Sequence, residues 1–242
     1  MCDMHKQMEI HKKENREVEI STELCKKVIR ETCELGTRDI IFLGGEPFMR
    51  EDIFELVRYA QSFGLNTVLI TNGVLMNERN VRACFDSGVK WLSISIDAAT
   101  EKTFQNIRGQ NILKTILQNI HAINEIKKER GGEFPKIVIV CTVMNDNLEE
   151  LVSLVDLCRD LRAEKLLFQP VVACNVNQAQ REKNFTGAIP PERLDVLDHA
   201  IDGLIARKKS SPSDYDFLGN SVKRLEWMKK YFRGCLDPKK LP

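Results

Sequence analysis

An α/β fold with a parallel sheet is predicted by three observations. Apolar, strand-like runs alternate with helical patterns, glycines stand where a helix gives way to the next run, and polar residues collect where the runs end. The runs are 39–43, 65–71, 89–96, 136–143 and 165–171. A first helix, with Leu24, Val28, Thr32 and Leu35 on one side, precedes them. Between them, Ile53, Leu56, Val57 and Ala60 recur at helical spacing, as do Leu113, Ile116, Leu117, Ile120 and Ile123, and then Leu148, Leu151, Val152 and Val155. Gly36, Gly64 and Gly88 sit where a left-handed helix C-cap is wanted, and Asn147 with Glu150 resembles a capping box. Strict alternation leaves an open doubly wound sheet or a closed or partial (β/α) barrel.

Beyond residue 171 the pattern changes. Residues 173–188 are polar and read as a loop. Pro190-Pro191 then opens a helix with Leu194, Leu197, Ile201, Leu204 and Ile205 on one face. A second loop at 210–213 precedes a last helix over 222–232. This divides the chain into a barrel portion, 1–172, and a loop-and-helix extension, 173–242.

A formal net charge of +1 over 242 residues, with scattered Lys-Lys pairs, gives no reason to expect nucleic acid as a partner. No apolar run reaches membrane-spanning length and residues 1–6 are polar, so no membrane association and a cytoplasmic location are expected. The eight cysteines are widely spaced and contain no C-x2-C pair, against a disulfide framework or a zinc site. Cys141 within an apolar run and Cys158 on a helical stripe read as core residues.

The run 39–43 leads directly into Gly44-Gly45-Glu46-Pro47. Glycine allows close approach of the main chain to a ligand and proline directs the exit, so Glu46 is presented at the carboxyl end of a strand, the edge that carries chemistry in parallel α/β folds. The run 65–71 ends in Thr71-Asn72-Gly73. In 89–97 the period of two sets Leu92, Ile94 and Ile96 against Ser93, Ser95 and Asp97. The fourth run reaches Thr142 and Asn145, and the fifth carries Gln169 before Pro170. A polar row in a central parallel strand, usually apolar on both faces, fits the interior of a barrel near its mouth.

Gly44-Gly45-Glu46-Pro47, Thr71-Asn72-Gly73, Ser93-Ile94-Ser95-Ile96-Asp97 and Arg108-Gly109, in this order and spacing, resemble the radical S-adenosylmethionine (radical SAM) superfamily over about residues 1–172. The resemblance implies an α/β, partial (β/α)6 TIM-like barrel holding a 4Fe-4S cluster through C-x3-C-x2-C, with SAM chelating the unique iron. By the same resemblance Gly44, Gly45 and Glu46 meet the methionine ammonium of SAM. Thr71, with Asn72 beside it, and Ser95 match positions whose hydroxyls contact SAM. Asp97 and Arg108 match its ribose hydroxyls and carboxylate, and Gln169 lies near the adenine. The implied function is reductive cleavage of SAM to a 5′-deoxyadenosyl radical that abstracts hydrogen from a small-molecule or peptide substrate, with a flavodoxin- or ferredoxin-like electron donor.

Only Met1-Cys2-Asp3-Met4-His5 resembles the cluster motif, so Cys2 is expected as its third ligand and the first strand as missing upstream. On that expectation the chain by itself generates no radical. The region after 190 resembles the approach to a SPASM or twitch extension, with Cys235 as a weak signal. Two other readings compete: a (β/α) barrel lyase or hydrolase using Glu46 and Asp97 as acid and base, and a SAM-binding fragment without catalysis.

Overall fold

A computed structural model describes residues 19–172 and 189–234. In chain order its longer elements are α1 (Thr22–Glu34), β1 (Asp39–Phe42), α2 (Ile53–Ser62), β2 (Asn66–Thr71), α3 (Glu78–Ser87), β3 (Trp91–Ser95), α4 (Glu101–Arg108) and α5 (Leu113–Arg130). There follow β4 (Lys136–Val143), a 3-10 helix (Asn145–Glu150), α6 (Leu151–Asp160), β5 (Lys165–Pro170), α7 (Leu194–Ser210), α8 (Pro212–Phe217) and α9 (Val222–Gly234). All five predicted strands are present, and the strand pairs are parallel. The short α4 and α8 were not foreseen.

The chain divides into two compact units. One comprises the chain up to Ile94 together with Thr115–Ile137, the other Ser95–Lys114 together with the chain from Val138 onward.

In the first unit β1, β2 and β3 are neighbours in that order, with Phe42 opposite Leu69 and Ile70 opposite Ser93. Alternation of side chains sends Ile40 and Phe42 into a cluster with Ile29, Leu56, Ala60 and Leu65, while Ile41 stays exposed. Helix ends are set locally. The Ser21 hydroxyl accepts the Leu24 N–H at 3.2 Å to start α1, and Gly36, Gly64 and Gly88 take positive φ as expected. The buried side of α1 is a correction: Ile29, flanked by Cys25 and Cys33, faces the core, whereas Leu24, Val28 and Leu35 are exposed. The helix carries two apolar stripes, and periodicity does not choose between them.

In the second unit β4 and β5 pair from Val138 opposite Lys165 to Val143 opposite Pro170. The outer edge of β5 is covered by residues 218–220. Leu218 bridges Leu166, the Gly219 N–H donates to the Leu166 carbonyl at 3.0 Å, and the Asn220 side chain imitates a strand residue. Its Oδ1 accepts the Phe168 N–H at 2.7 Å and its Nδ2 donates to the Phe168 carbonyl at 2.8 Å. Backbone groups that an edge strand leaves open are thereby satisfied. On α6 the buried stripe is Leu151, Leu154, Val155 and Cys158, and on α7 it is Leu197, Ile201, Leu204 and Ile205. Burial pushes the thiols of Cys158 and Cys141 up, and in the first unit that of Cys84 up to about 12, so these cysteines are unreactive packing residues.

A buried charge holds α8 in place. Asp214 accepts from Arg159 Nε at 2.9 Å and Arg207 Nε at 2.8 Å, while Lys208 Nζ donates to the carbonyls of Tyr215 and Leu218. Burial raises the Asp214 carboxyl, but the hydrogen bonds of Arg207 and Arg159 outweigh it and hold the group below the usual carboxylate range. A depressed folded pKa contributes stability above the unfolded pKa of about 3.9 and loses it as pH falls through the folded value. Asp214→Asn is therefore expected to lower stability most near pH 6–7, with the gap to wild type closing below about pH 4. Urea unfolding across this range measures it; a gap independent of pH contradicts the assignment.

Candidate functional site

The predicted polar residues do stand at the carboxyl ends of strands, and each unit joins some of them. In the first unit the loop after β1 closes onto the end of β2 through Glu46. Its Oε1 accepts the Thr71 hydroxyl at 2.7 Å and the Phe48 N–H at 3.3 Å, and its Oε2 accepts the Asn72 N–H at 2.9 Å. Pro47 opens a 3-10 turn, Pro47–Met49, with Glu46 as its cap. Gly44 and Gly45 are exposed beside this anchor. The Thr71 hydroxyl also accepts the Gly73 N–H at 3.0 Å, so both its donor and an acceptor site are engaged within the protein, and Thr71 is 2% exposed. Asn72 is exposed, and its Oδ1 accepts the Val74 N–H at 2.9 Å.

Sequence reading missed Asn119. From α5 its Nδ2 donates to the carbonyls of Gly73 at 2.9 Å and Val74 at 3.2 Å, holding the turn from the side opposite its sequence neighbours. The signal was a polar residue set among Ile116, Ile120 and Ile123, all fully buried.

In the second unit Asp97, 1% exposed, follows β3. Its Oδ1 accepts the Thr142 N–H at 2.9 Å, and its Oδ2 lies 2.5 Å from Arg108 Nη2 at the end of α4. That approach lacks hydrogen-bond alignment: Asp97 Oδ2 and Arg108 Nε are both buried without a hydrogen-bond partner, as is Asn145 Oδ1 after β4. Arg50 Nε beside Asp52 and Arg193 Nε beside Glu149 are likewise buried ion-pair atoms without an aligned hydrogen bond. Gln169, exposed on β5, donates to the Thr142 hydroxyl at 3.3 Å. Ser95, the last residue of β3, is half-buried, and its hydroxyl has no partner among the described residues.

Asn147 and Glu150 form no capping box for α6. Asn147 caps the 3-10 helix instead, accepting the Met144 N–H, and also donates to the Asp97 carbonyl at 2.7 Å, while Glu150 accepts the amides of Ala99 and Thr100. Cys2, the predicted cluster ligand, the loop 173–188 and Cys235 lie outside the described residues. Among the described residues no group of three His, Cys, Asp or Glu is placed to hold a metal ion, and no helix is long and apolar enough to cross a membrane.

Parallel strands in a five-strand sheet, with helices between them, match an α/β barrel of the partial TIM type. The chain belongs to the radical SAM superfamily, whose profile matches residues 1–158. It is 36% identical over 146 residues to the AdoMet-dependent heme synthase of Methanosarcina barkeri, covering 60% of this chain and 40% of that protein. Among solved structures it resembles Streptococcus suis SuiB bound to its precursor peptide SuiA, with a TM-score of 0.61 and 16% identity over 76% of this chain and 38% of SuiB. SuiB bound to S-adenosylmethionine gives a TM-score of 0.55 at 17% identity, with the same coverage. The chain thus spans about two fifths of the length of the curated relatives it matches. Family membership implies SAM and a 4Fe-4S cluster as cofactors.

Proposed function

We propose that the protein is a cytoplasmic radical SAM enzyme that cleaves SAM reductively, and that the residues at its strand ends hold SAM. The observation that carries this reading is the buried Asp97–Arg108 ion pair, in which Oδ2 lies 2.5 Å from Nη2 while Asp97 Oδ2 and Arg108 Nε make no aligned hydrogen bond. A ribose diol or a carboxylate supplies the missing partners: hydroxyls donate to Asp97, and an oxygen accepts from Arg108. The open Ser95 hydroxyl and the exposed amide of Gln169 offer further hydrogen bonds to the same class of ligand. In the first unit Gly44 and Gly45 present main-chain carbonyls to an ammonium group. Glu46, Thr71 and the Asn72 amide are engaged with one another, which favours a role in fixing that loop over direct contact.

Cys2 would be one thiolate ligand of the cluster, which with bound SAM would supply one-electron reductive cleavage chemistry for hydrogen abstraction. The substrate is a small molecule or peptide, and the electron donor a flavodoxin- or ferredoxin-like protein. The lyase or hydrolase reading is disfavoured by the same geometry. Glu46 already accepts three hydrogen bonds, and Asp97 is ion-paired to Arg108, so neither is a free general base. Calorimetric titration with SAM tests the proposal. Arg108→Ala is expected to weaken binding about tenfold or more, the loss of a charge-assisted hydrogen bond. Undetectable binding to the unaltered protein, or equal binding by the variant, rejects it.

A further inference from the structure

We propose that Glu150, together with Asn147, is a positioning residue for SAM, setting the Asp97–Arg108 pair by anchoring the segment that joins them. The inference rests on the reading of that pair as SAM contacts. The 3-10 helix after β4 contributes two side chains that reach back to the connection between β3 and α4. Glu150 Oε2 accepts the N–H groups of Ala99 at 2.8 Å and Thr100 at 3.0 Å, and its Oε1 accepts the hydroxyls of Thr100 and Thr103, each at 2.6 Å. Asn147, fully buried, donates to the carbonyls of Asp97 at 2.7 Å and Thr142 at 2.8 Å while accepting the Met144 N–H at 3.0 Å.

The consequence follows from the shape of the segment. Asp97 stands at its start, and Arg108 is the last residue of α4, an eight-residue helix roughly 12 Å long. The direction of such a rod is set at its first turn, where Thr100 is the N-cap and Glu150 takes two hydroxyls and two amides. A carboxylate at that end also meets the positive end of the helix dipole. A small rotation there displaces the Arg108 guanidinium relative to Asp97 by a distance that matters for hydrogen bonding. Glu150 takes four donors, and Asn147 engages three main-chain groups and the Cys141 sulfur, while Asp97 Oδ2 and Arg108 Nε at the two ends of the segment make no aligned hydrogen bond.

Glu150→Gln tests this with little change of shape, since an amide cannot accept at both ends. Hydrogen exchange at the Ala99 and Thr100 amides in the protein without ligand is expected to accelerate about tenfold, and SAM affinity by calorimetry to fall by a similar factor. Asp214→Asn serves as the control, because it removes a buried acceptor elsewhere in the same unit. It is expected to lower thermal stability while leaving SAM affinity and Ala99 exchange unchanged. If Glu150→Gln binds SAM as the unaltered protein does, or if Asp214→Asn weakens SAM equally, the positioning role is overturned. If the unaltered protein binds no SAM, the functional reading fails and the exchange data alone report on the anchor; unchanged exchange then removes the anchor as well. Should Glu150→Gln fold poorly, Thr103→Val deletes one donor at the same contact and is expected to give a smaller loss of SAM affinity in the same direction.

Discussion

Asn147→Ala is expected to destabilise the protein by about 3–5 kcal/mol, the largest single effect among the polar residues considered. The side chain is fully buried, and truncation strands three main-chain groups at once: the carbonyls of Asp97 and Thr142, and the Met144 N–H. Each buried group left without a partner costs about 1–3 kcal/mol, less whatever a water entering the vacated space restores. Denaturant unfolding measures the loss, and one below about 1 kcal/mol shows that the three groups find other partners. Asn147→Asp is the informative companion. It keeps the acceptor for Met144 but replaces a double donor with a carboxylate facing two carbonyl oxygens, so it is expected to recover little of the stability.

Gly73→Ala is expected to cost about 2–5 kcal/mol, and to do so in the turn beside Glu46. At φ +80° the residue occupies the left-handed region, where a side chain costs about 1–2 kcal/mol. A Cβ there lies 2.9 Å from Ile116 Cγ2 and 3.0 Å from Ile94 Cγ2. Both isoleucines are fully buried and have little room to yield, so overpacking adds about 1–3 kcal/mol. The turn is also held by Asn119 and Glu46, so the strain spreads to the Gly-Gly-Glu-Pro loop. Urea unfolding gives the stability change. Faster hydrogen exchange at the Asn72 amide reports the loosened loop, and an unchanged Asn72 rate places the strain in α5 instead.

The two predictions draw on different levels of information. Gly73 stood out in the sequence as part of the Thr71-Asn72-Gly73 strand end, although its positive φ and its packing against Ile116 and Ile94 come from the structure. Asn147 did not. Its neighbours suggested a cap on the following helix, and the structure shows instead a side chain that caps the 3-10 helix through Met144, holds Thr142 and reaches Asp97, 50 residues away along the chain. Glu46 was legible as a residue held at a strand end, and its attachment to Thr71 and Asn72 was not, since that requires β1 and β2 to lie side by side with Phe42 opposite Leu69. The buried stripe of α1 was misjudged for a related reason. Leu24, Val28 and Leu35 are more apolar than Cys25 and Cys33, but the position of α2 decides which stripe is covered.

What the sequence determined by itself is what local chemistry controls. Side chains alternate along a strand and recur every three to four residues along a helix, glycine alone enters the left-handed caps cheaply, and the motif order from Gly44 to Arg108 suffices to place the chain in its superfamily. The tertiary structure decided which polar atoms are satisfied and which remain open. Asn119, Asn147 and Glu150 find partners 45 to 51 residues distant, while Asp97 Oδ2 and Arg108 Nε, though ion-paired, make no aligned hydrogen bond. A hydrogen bond depends on distance and direction to within a few tenths of an ångström, and for residues that far apart along the chain those quantities exist only once the strands have paired and the helices have packed.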